Sequence, residues 1–410
     1  MKTEWEYALP TDEYSNDYQY ESPIFIKDNM IYFISNFKHQ LQLHIIDGDS
    51  GLGRIENIPQ GKQTIPSDFF FLEYKENIIF YTGDFYVYSQ SEICKFTDLR
   101  TGREIHKKLT SYLLHEHRLL FSHTFNKDYL FCYNLDTMSL EWKLDISNTK
   151  PYRTGEITLF EDMVACYGDR ELLFVDMEDG TIRDRIKVPR IDKLFHPIRV
   201  DAEHILIGYT NWTNAGILKY NTNSKKIVWR HKRKFEGPQL RCKIYSASDR
   251  VFWAKNTTEL ICLDMETGEE LYSVKTNPWL YTDLFFIGDH LLYGTSGRDG
   301  YMNCVDIRSG EVIWSVFLRN GCAYFDVYNG TVLVGDFDKS IKQIATTDGS
   351  IRQDYQVDGE VVGDMKVCGD CAYTVIWGHE DTPIRLIKVR IGEGDGRESE
   401  KDTEKVEAVE

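Results

Sequence analysis

The chain of 410 residues has 48 Lys and Arg against 65 Asp and Glu, a formal net charge of −17 at pH 7. This charge disfavours nucleic acid and anionic membranes as partners, because both bind through Lys and Arg side chains that neutralise phosphate. The sequence has no apolar run long enough to span a membrane, and its first residues lack the apolar segment of a signal peptide. We therefore expect a cytoplasmic protein with its nine cysteines as free thiols.

A short phrase recurs along the chain at intervals of about 40 residues. It consists of a strand that ends in Asp or Asn, a turn with Ser, Thr or Asp, and a second strand, as in CLDMETGEELYSV and CVDIRSGEVIWSV. The position after the Ser, Thr or Asp serves as the anchor of each copy. In chain order the anchors are Gly51, Gly102, Met138, Gly180, Lys225, Gly268, Gly310 and Gly349. Glycine at most of these anchors indicates a backbone with positive φ.

Each copy of the phrase is predicted to be a β-hairpin that forms the third and fourth strands of a four-stranded unit. The hairpins begin, in chain order, with LQLHII, ICKFT, LFCYN, LLFVD, GILKY, LICLD, MNCVD and IKQIA. Further strand-like runs precede each hairpin, for example EITLFED and MVACYGD. Helical periodicity of useful length is absent from the sequence. Because a sheet with two apolar faces needs a neighbour on each side, the predicted fold is all-β, a closed β-propeller of four-stranded antiparallel blades.

The two ends of the chain are predicted to share the last blade. VVGDMKVCGD, CAYTVIWG and PIRLIKVRI supply three strands, and residues 1–10, which include EWEYAL, supply the closing strand. The count is then nine blades, with eight as the alternative, in a single domain of residues 1–391. The acidic segment 392–410 is expected to be a disordered tail.

The cysteine pattern favours packing over metal binding. Cys368 and Cys371 have CxxC spacing, but the sequence has no second CxxC that would complete a tetrahedral site, so a structural turn is preferred. Cys132, Cys262 and Cys304 hold the same position relative to their anchors, and we expect them to be small, buried packing residues. We predict no metal and no cofactor.

Aromatic and arginine side chains occur in the predicted loops between second and third strands and between consecutive blades. In a propeller these loops gather on one face, here called the long-loop face, and the tight hairpin turns lie on the other. Aromatic residues and Arg are enriched at protein interfaces. The residues predicted to bind a partner on this face are Trp212, Trp279, Tyr281, Phe85, Tyr86, Phe337, Trp377, Arg298 and Arg319.

The phrases LDMETGEELYS and VDIRSGEVIW resemble the repeat of pyrroloquinoline-quinone-type propellers, in which a strand ending in Asp is followed by a Thr-Gly or Ser-Gly turn and a strand ending in Trp. The resemblance covers residues 22–391 and is strongest over 240–316. It implies a family of quinoprotein dehydrogenases, outer-membrane assembly lipoproteins and cytoplasmic proteins. Its enzymes are exported, and many carry adjacent cysteines beside the quinone, which this chain lacks. The repeat specifies a blade and not an activity, so a non-enzymatic member is preferred.

Two functions remain open at this point. The preferred hypothesis is a non-catalytic cytoplasmic propeller that acts as a protein-interaction scaffold or an inhibitor through the long-loop face. An immunity-type protein is a specific version, because the acidity of the chain would match a basic protein partner. The alternative is a small-ligand-binding or enzymatic propeller with a site at the mouth of the central channel. The sequence does not indicate an oligomeric state.

Overall fold

The structure is a computed structural model that describes residues 1–9, 23–37, 40–59, 70–96, 108–124, 128–146, 157–167, 171–187, 193–210, 214–234, 243–256, 258–276, 279–280, 282–336, 338–377 and 384–392. In these ranges every regular element is a β-strand, and none is a helix. The described strands form nine four-stranded antiparallel blades, so the fold is a nine-bladed β-propeller, as predicted. The alternative count of eight blades is wrong.

The blades follow one another along the chain, and each is a meander of strands paired in sequence order. The first strand of the chain is β1 (Lys2–Ala8). Blade 1 contains β2 (Phe25–Lys27), β3 (Met30–Phe37), β4 (Gln40–Asp47) and β5 (Gly53–Asn57); blade 2 contains β6 (Phe70–Tyr74), β7 (Asn77–Tyr81), β8 (Phe85–Ser89) and β9 (Glu92–Lys95); blade 3 contains β10 (Lys108–His115), β11 (Arg118–Thr124), β12 (Asp128–Asn134) and β13 (Ser139–Asp145).

The middle of the chain continues the same pattern. Blade 4 contains β14 (Thr158–Phe160), β15 (Met163–Tyr167), β16 (Glu171–Asp176) and β17 (Ile182–Lys187); blade 5 contains β18 (Lys193–Arg199), β19 (His204–Thr210), β20 (Asn214–Asn221) and β21 (Lys226–Lys234); blade 6 contains β22 (Lys243–Ala247), β23 (Arg250–Asn256), β24 (Glu259–Asp264) and β25 (Glu270–Lys275).

The last blades share long strands or draw on the N-terminus. Blades 7 and 8 are formed by β26 (Trp279–Leu280), β27 (Phe285–Ile287), β28 (His290–Asp306), β29 (Val312–Tyr328), β30 (Thr331–Asp336), β31 (Ser340–Ala345) and β32 (Ile351–Gln356); blade 9 contains β33 (Glu360–Cys368), β34 (Cys371–Trp377), β35 (Arg385–Arg390) and β1.

Two strands of 17 residues, β28 and β29, each fill two successive blade positions. The first part of β28 pairs with β27, and its second part pairs with residues 312–319 of β29. Residues 322–328 of β29 pair with β30 instead. β29 is therefore the outermost strand of blade 7 and the first strand of blade 8, because the connection between these blades is too short to leave the extended conformation.

The chain separates into two compact units. The first unit comprises Met1–Lys95 and Asn277–Glu407, which hold blades 7, 8, 9, 1 and 2. The second comprises Phe96–Thr276 and Ala408–Glu410, which hold blades 3 to 6. Within each unit, consecutive blades pack face to face through buried apolar side chains. This packing removes from water both faces of sheets that would not be stable alone.

Blade 9 is completed by the N-terminal strand, as predicted. β1 pairs antiparallel with β35, from Lys2 opposite Arg390 to Ala8 opposite Arg385. Trp5 is half-buried against the apolar cluster between blades 9 and 1. The N-terminus therefore fills the position that an outermost strand holds in the other blades. The predicted tail lies, from residue 393 onward, outside the described residues.

Four of the glycine anchors meet a tryptophan of the adjacent blade, namely Gly51 against Trp5 of blade 9 and three further glycines. Gly180, Gly268 and Gly349 have φ values of 70°, 71° and 71°. They lie against Trp142, Trp229 and Trp314, respectively. Each of these indoles also donates a hydrogen bond from Nε1 to a carbonyl oxygen of the same turn, at 2.8–3.0 Å. These anchors are glycine because the backbone is left-handed and because a Cβ would collide with the indole.

The two anchors that are not glycine, Met138 and Lys225, keep the left-handed backbone with φ values of 50° and 56°. Blade 4 has Asp184 at the position where other blades carry the tryptophan. Lys225 Nζ donates a hydrogen bond to Asp184 Oδ1 at 3.0 Å. The side chain of Lys225 therefore has space and an ion-pair partner in Asp184. A non-glycine residue with positive φ is strained, and the fold tolerates that strain here.

Blade 2 differs from the prediction. ICKFT was expected to be its third strand, with Gly102 in the following turn. In the structure β8 is the third strand, β9 is the fourth, and the turn is Gln90–Ser91, with φ values of 49° and 70°. The prediction was wrong because this turn has neither the leading Asp nor the glycine that marks the other hairpins. Gly102 lies outside the described residues.

A buried histidine lies beside the closing strand. His44 in β4 is fully buried, with Nε2 at 2.7 Å from Ser35 Oγ and Nδ1 at 3.2 Å from the hydroxyl of Tyr7 in β1. Burial lowers the pKa of His44 to about 4. Since an unperturbed histidine has a pKa of about 6.5, the unfolded chain takes up a proton below that pH, and the folded chain excludes it.

We expect this difference in protonation to lower the free energy of unfolding by about 3 kcal/mol when the pH falls from about 7 to about 4. Urea titrations across that range measure it. The matched variant is His44→Gln, which has a similar length, retains a donor and an acceptor, and does not titrate. Its stability should depend less on pH than that of the unsubstituted protein. Equal pH dependence in both proteins would show that His44 is not the titrating group.

Candidate interaction surface

Five of the nine predicted binding residues are in parts of the chain that carry no side-chain description. Trp212, Tyr281 and Phe337 lie outside the described residues. Trp279 begins β26 and Arg298 lies within β28, and the structure describes only their backbone. Their role in binding stays a prediction.

Phe85 and Tyr86 were predicted to lie on the long-loop face, but they do not. They are the first two residues of β8, and both are fully buried. The Tyr86 ring stacks on Phe80 with centroids 5.4 Å apart, and its hydroxyl donates to the carbonyl oxygen of Pro59 at 2.9 Å. Their predicted position is wrong because the second repeat was misplaced, which moved the third strand of blade 2 into a loop.

Trp377 lies where the prediction placed it, at the end of the second strand of blade 9. It is the last residue of β34. Its side chain is half-buried and packs against the apolar cluster between blades 9 and 1, which includes Leu9, Ile24 and Ile384. Part of its surface therefore stabilises the fold, and the remainder faces solvent.

Arg319 is exposed and stands beside two aromatic residues of blade 7. Phe317 and Arg319 lie two residues apart on β29, so they share the outward face of the blade. Phe317 is 51% exposed and packs edge to face on Tyr301, its partner across β28, with ring centroids 5.6 Å apart. Tyr301, Phe317 and Arg319 form a continuous surface, here called the blade 7 patch.

The guanidinium of Arg319 is oriented but not buried. Its Nη1 lies 3.2 Å from Oδ1 of Asp338 in the turn after β30, and both side chains are largely exposed. Asp299 stands opposite Arg319 in the pairing of β28 and β29. Because an exposed ion pair contributes little net energy in water, Arg319 can exchange this partner for a group on another protein.

Two further apolar side chains are exposed at the start of the same strand, on the other side of Ser315. Val312 and Ile313 are 50% and 41% exposed at the start of β29, next to the turn at Gly310. The outer strand of a blade normally faces water with polar side chains. The outer strands of other blades also expose single apolar residues, such as Leu140 and Leu271, so blade 7 is distinguished by the exposed aromatic ring of Phe317. An exposed aromatic residue next to an arginine is typical of a surface that binds another molecule.

An acidic residue from the long-loop end of blade 8 is already engaged within the chain. Asp336 is buried, and its Oδ2 lies 3.0 Å from Nζ of Lys342, which also donates to Ser340 Oγ. Such a carboxylate is a structural counter-ion rather than an acid or base open to a ligand. Among the described residues, no group of His, Cys, Asp or Glu has a geometry that could hold a metal ion.

The described cysteines behave mainly as packing residues. Cys132, Cys262 and Cys304 are fully buried, as predicted, and burial raises the pKa of Cys132 and of Cys304 to about 12. Thiols with such a pKa stay protonated and unreactive. Cys368 and Cys371 flank the two-residue turn between β33 and β34, which confirms the structural-turn interpretation.

Residues 213–360 match the sequence model of a family described as outer membrane protein assembly factor BamB. This segment contains the repeats in which the Asp, Gly and Trp positions are clearest. Over residues 213–360 the chain therefore carries a pyrroloquinoline-quinone-like repeat. The resemblance seen in the sequence is confirmed for this segment. A search of curated proteins gives no match.

Solved structures share the fold of this nine-bladed propeller. The crystal structure of BamB from Moraxella catarrhalis is 14% identical, with a TM-score of 0.51 over 78% of this chain and 96% of that one. The computationally designed Ika8 protein is 13% identical, with a TM-score of 0.53 over 78% of this chain and 95% of that one. At such identities the likeness concerns the fold alone. No helix in the described residues is long and apolar enough to cross a membrane.

Sequence reasoning found one residue of the blade 7 patch and missed the other two. Arg319 was selected because it precedes the connection to blade 8. Phe317 and Tyr301 were not among the predicted residues, although the segment IWSVFLRN places a large aromatic residue three positions after the tryptophan, on the outward side. An aromatic residue at that outward position is the signal that would have identified the patch.

Proposed function

We propose that the chain is a non-catalytic, cytoplasmic propeller that binds another protein, as a scaffold or as an inhibitor. The blade 7 patch supports this proposal. It combines an exposed Phe, a half-buried Tyr and an exposed Arg, which are residue types that contribute much of the binding energy at protein interfaces. The patch begins at Arg319, next to the middle of β29 where the chain passes from blade 7 to blade 8, and extends along the outer face of blade 7.

The net charge of −17 supports a partner with a basic surface. An immunity-type role, in which an acidic propeller occupies a basic toxin domain, is the specific form of this proposal. The match to a family named for an assembly factor also favours a protein partner over a small molecule. The buried ion pair of Asp336 with Lys342 argues in the same direction, because it removes one carboxylate from those that the enzymatic alternative would use.

The test is affinity purification with the variants Phe317→Ala and Arg319→Ala, followed by quantitative mass spectrometry of the bound proteins. Recovery of a specific partner should fall by about tenfold or more for Phe317→Ala, because truncation of a central aromatic side chain removes about 2 kcal/mol of binding free energy. Arg319→Ala should also reduce recovery, and more strongly at low salt.

The matched control is Leu271→Ala, which truncates an apolar residue with 45% exposure on the outer strand of blade 6. It should leave recovery unchanged. A second pair of variants, Trp212→Ala and Trp279→Ala, tests the predicted loops of the long-loop face. If all variants recover the partner as the unsubstituted protein does, neither surface carries the interaction and the proposal fails.

A further inference from the structure

The outermost strand of blade 5 is strongly basic, in a chain that is acidic overall. β21 has the sequence KIVWRHKRK. Its cationic residues are Lys226, Arg230, Lys232, Arg233 and Lys234, and His231 lies among them. The net charge of −17 conceals this segment, because an average over the whole chain does not record where each charge lies.

The strand presents its cations in a regular row. Arg230, Lys232 and Lys234 are exposed and alternate with the more buried His231 and Arg233. Side chains two residues apart on a strand lie on the same face, with a spacing of about 7 Å. The row therefore faces solvent as three positive charges at the repeat distance of an extended peptide.

These row residues lack the carboxylate partners that neutralise nearby cations. Arg233 forms an ion pair with Glu270, which also lies 3.7 Å from His231. Arg230 lies over the ring of Tyr209, with the guanidinium carbon 5.3 Å from its centroid. Within the described part of the chain, no ion pair involves Lys226, Arg230, Lys232 or Lys234.

The outer strand of blade 4 provides an internal comparison. β17 carries a similar row, Arg183, Arg185 and Lys187. There the cations are paired, Arg183 with Asp176 and the other two with Glu171. Among the described residues, the row on β17 is thus neutralised by carboxylates of its own blade, and the row on β21 is not.

The edge of β21 is also open for backbone pairing. In the described residues β21 pairs with β20 on one side and ends the sheet of blade 5 on the other. It is nine residues long, which is enough for an added strand to form a stable ladder. Ile227 and Val228, exposed at its start, add apolar contact surface.

We propose that β21 binds an extended acidic segment of a partner protein, which adds as a further strand to blade 5. Backbone hydrogen bonds along the edge would supply affinity, and carboxylates at alternate positions would lie opposite Arg230, Lys232 and Lys234. A protein segment fits better than nucleic acid, because the exposed side chains of the strand are aliphatic or cationic and offer no ring for base stacking. This surface differs from the blade 7 patch in position and in charge.

The direct test is fluorescence anisotropy with a labelled peptide of the length of β21, in which Glu alternates with Val. A second peptide has the same composition with all its Glu residues grouped at one end. We expect the alternating peptide to bind about tenfold more tightly than the grouped one, and to weaken as salt is raised. Equal affinities would overturn strand addition, because only the alternating order places every carboxylate on one face.

The variant Arg230→Glu/Lys232→Glu/Lys234→Glu should lower the affinity by about tenfold or more. Its control is Lys2→Glu/Lys275→Glu/Arg352→Glu, which makes the same change in net charge on other exposed strands. The control should bind as the unsubstituted protein does. Equal binding by the first variant, or tighter binding of oligodeoxythymidine than of the alternating peptide at the same salt, would overturn the proposal. Partner recovery through the blade 7 patch is measured separately, so the two proposals can fail independently.

Discussion

Removal of residues 1–8 is expected to lower the free energy of unfolding by about 5 kcal/mol or more, which is comparable to the whole stability of many domains. The deletion takes away β1 and leaves β35 as an unpaired edge. It also exposes the apolar cluster between blades 9 and 1, which includes Phe33, Tyr373 and Leu386. Urea titration, followed by tryptophan fluorescence and circular dichroism, measures the loss.

The size of this effect follows from several contacts that β1 makes at once. Trp5 Nε1 donates to the carbonyl oxygen of Gly48 at 3.0 Å, and the indole lies against Gly51 in blade 1. The same carbonyl accepts a hydrogen bond at 2.9 Å from Nζ of Lys388, a buried lysine whose charge is balanced by Glu4. Without Glu4, Lys388 would be a buried cation without its counter-ion, which is strongly destabilising.

A peptide of residues 1–9, added to the truncated protein, should restore most of the lost stability by binding to β35. The matched control peptide carries Glu4→Gln and Trp5→Ala, which remove the counter-ion and the indole but keep the backbone. It should restore much less. If the truncated protein is as stable as the full chain, or if both peptides restore stability equally, the closing strand does not act through these side chains.

Gly268→Ala is expected to lower the free energy of unfolding by about 3 kcal/mol, the scale of a strained backbone combined with an overpacked core. Gly268 has a φ of 71°. A Cβ at this position would lie 2.5 Å from Cδ2 and Cε3 of Trp229. The indole cannot move without breaking its 3.0 Å hydrogen bond to Met265, so the turn must shift instead. Urea titration measures the change.

Lys225→Gly is the matched control, because Lys225 holds the same anchor position in blade 5 with a φ of 56°. Here glycine relieves a left-handed backbone and removes an exposed ion pair with Asp184. These two changes have opposite signs and similar size, so the free energy of unfolding should change by less than about 1 kcal/mol. Should Gly268→Ala be as mild as Lys225→Gly, the contact between indole and glycine would not be a main source of stability.

Hairpins were predicted at the correct positions only where the turn contains its characteristic residues. Where Asp, Ser or Thr, and Gly occur together, as at Asp264–Gly268, the hairpin was placed correctly, and Asp264 Oδ1 accepts the backbone N–H of Thr267 at 2.7 Å. In blade 2 the turn Gln90–Ser91 contains a serine but has neither the leading Asp nor the glycine. The third strand was therefore misplaced, and with it Phe85 and Tyr86. Local side-chain chemistry predicts a turn only where the side chains themselves bond to the turn backbone.

The basic row of β21 shows a different limit. The basic composition of β21 is visible in the sequence. Whether its cations can bind a partner protein depends on which of them already form ion pairs within the chain. Arg183 and Arg230 are the same residue type in similar strand sequences. In the structure, Nη2 of Arg183 lies 2.8 Å from Oδ2 of Asp176, whereas the guanidinium of Arg230 lies over the ring of Tyr209. Pair formation depends on neighbouring strands and blades, so only the folded chain separates neutralised charges from those that face a partner.

The sequence by itself determined the repeat, the strand order within a blade and the role of the N-terminal strand, and it indicated nine blades with eight as the alternative. It could do so because each depends on short-range patterns of apolar alternation and turn residues, repeated along the chain. The tertiary structure decided why Gly268 must be glycine and Lys225 need not be, and which exposed side chains gather into the blade 7 patch. These features depend on contacts between different blades or between paired strands, and side chains that meet there are distant from one another in the sequence.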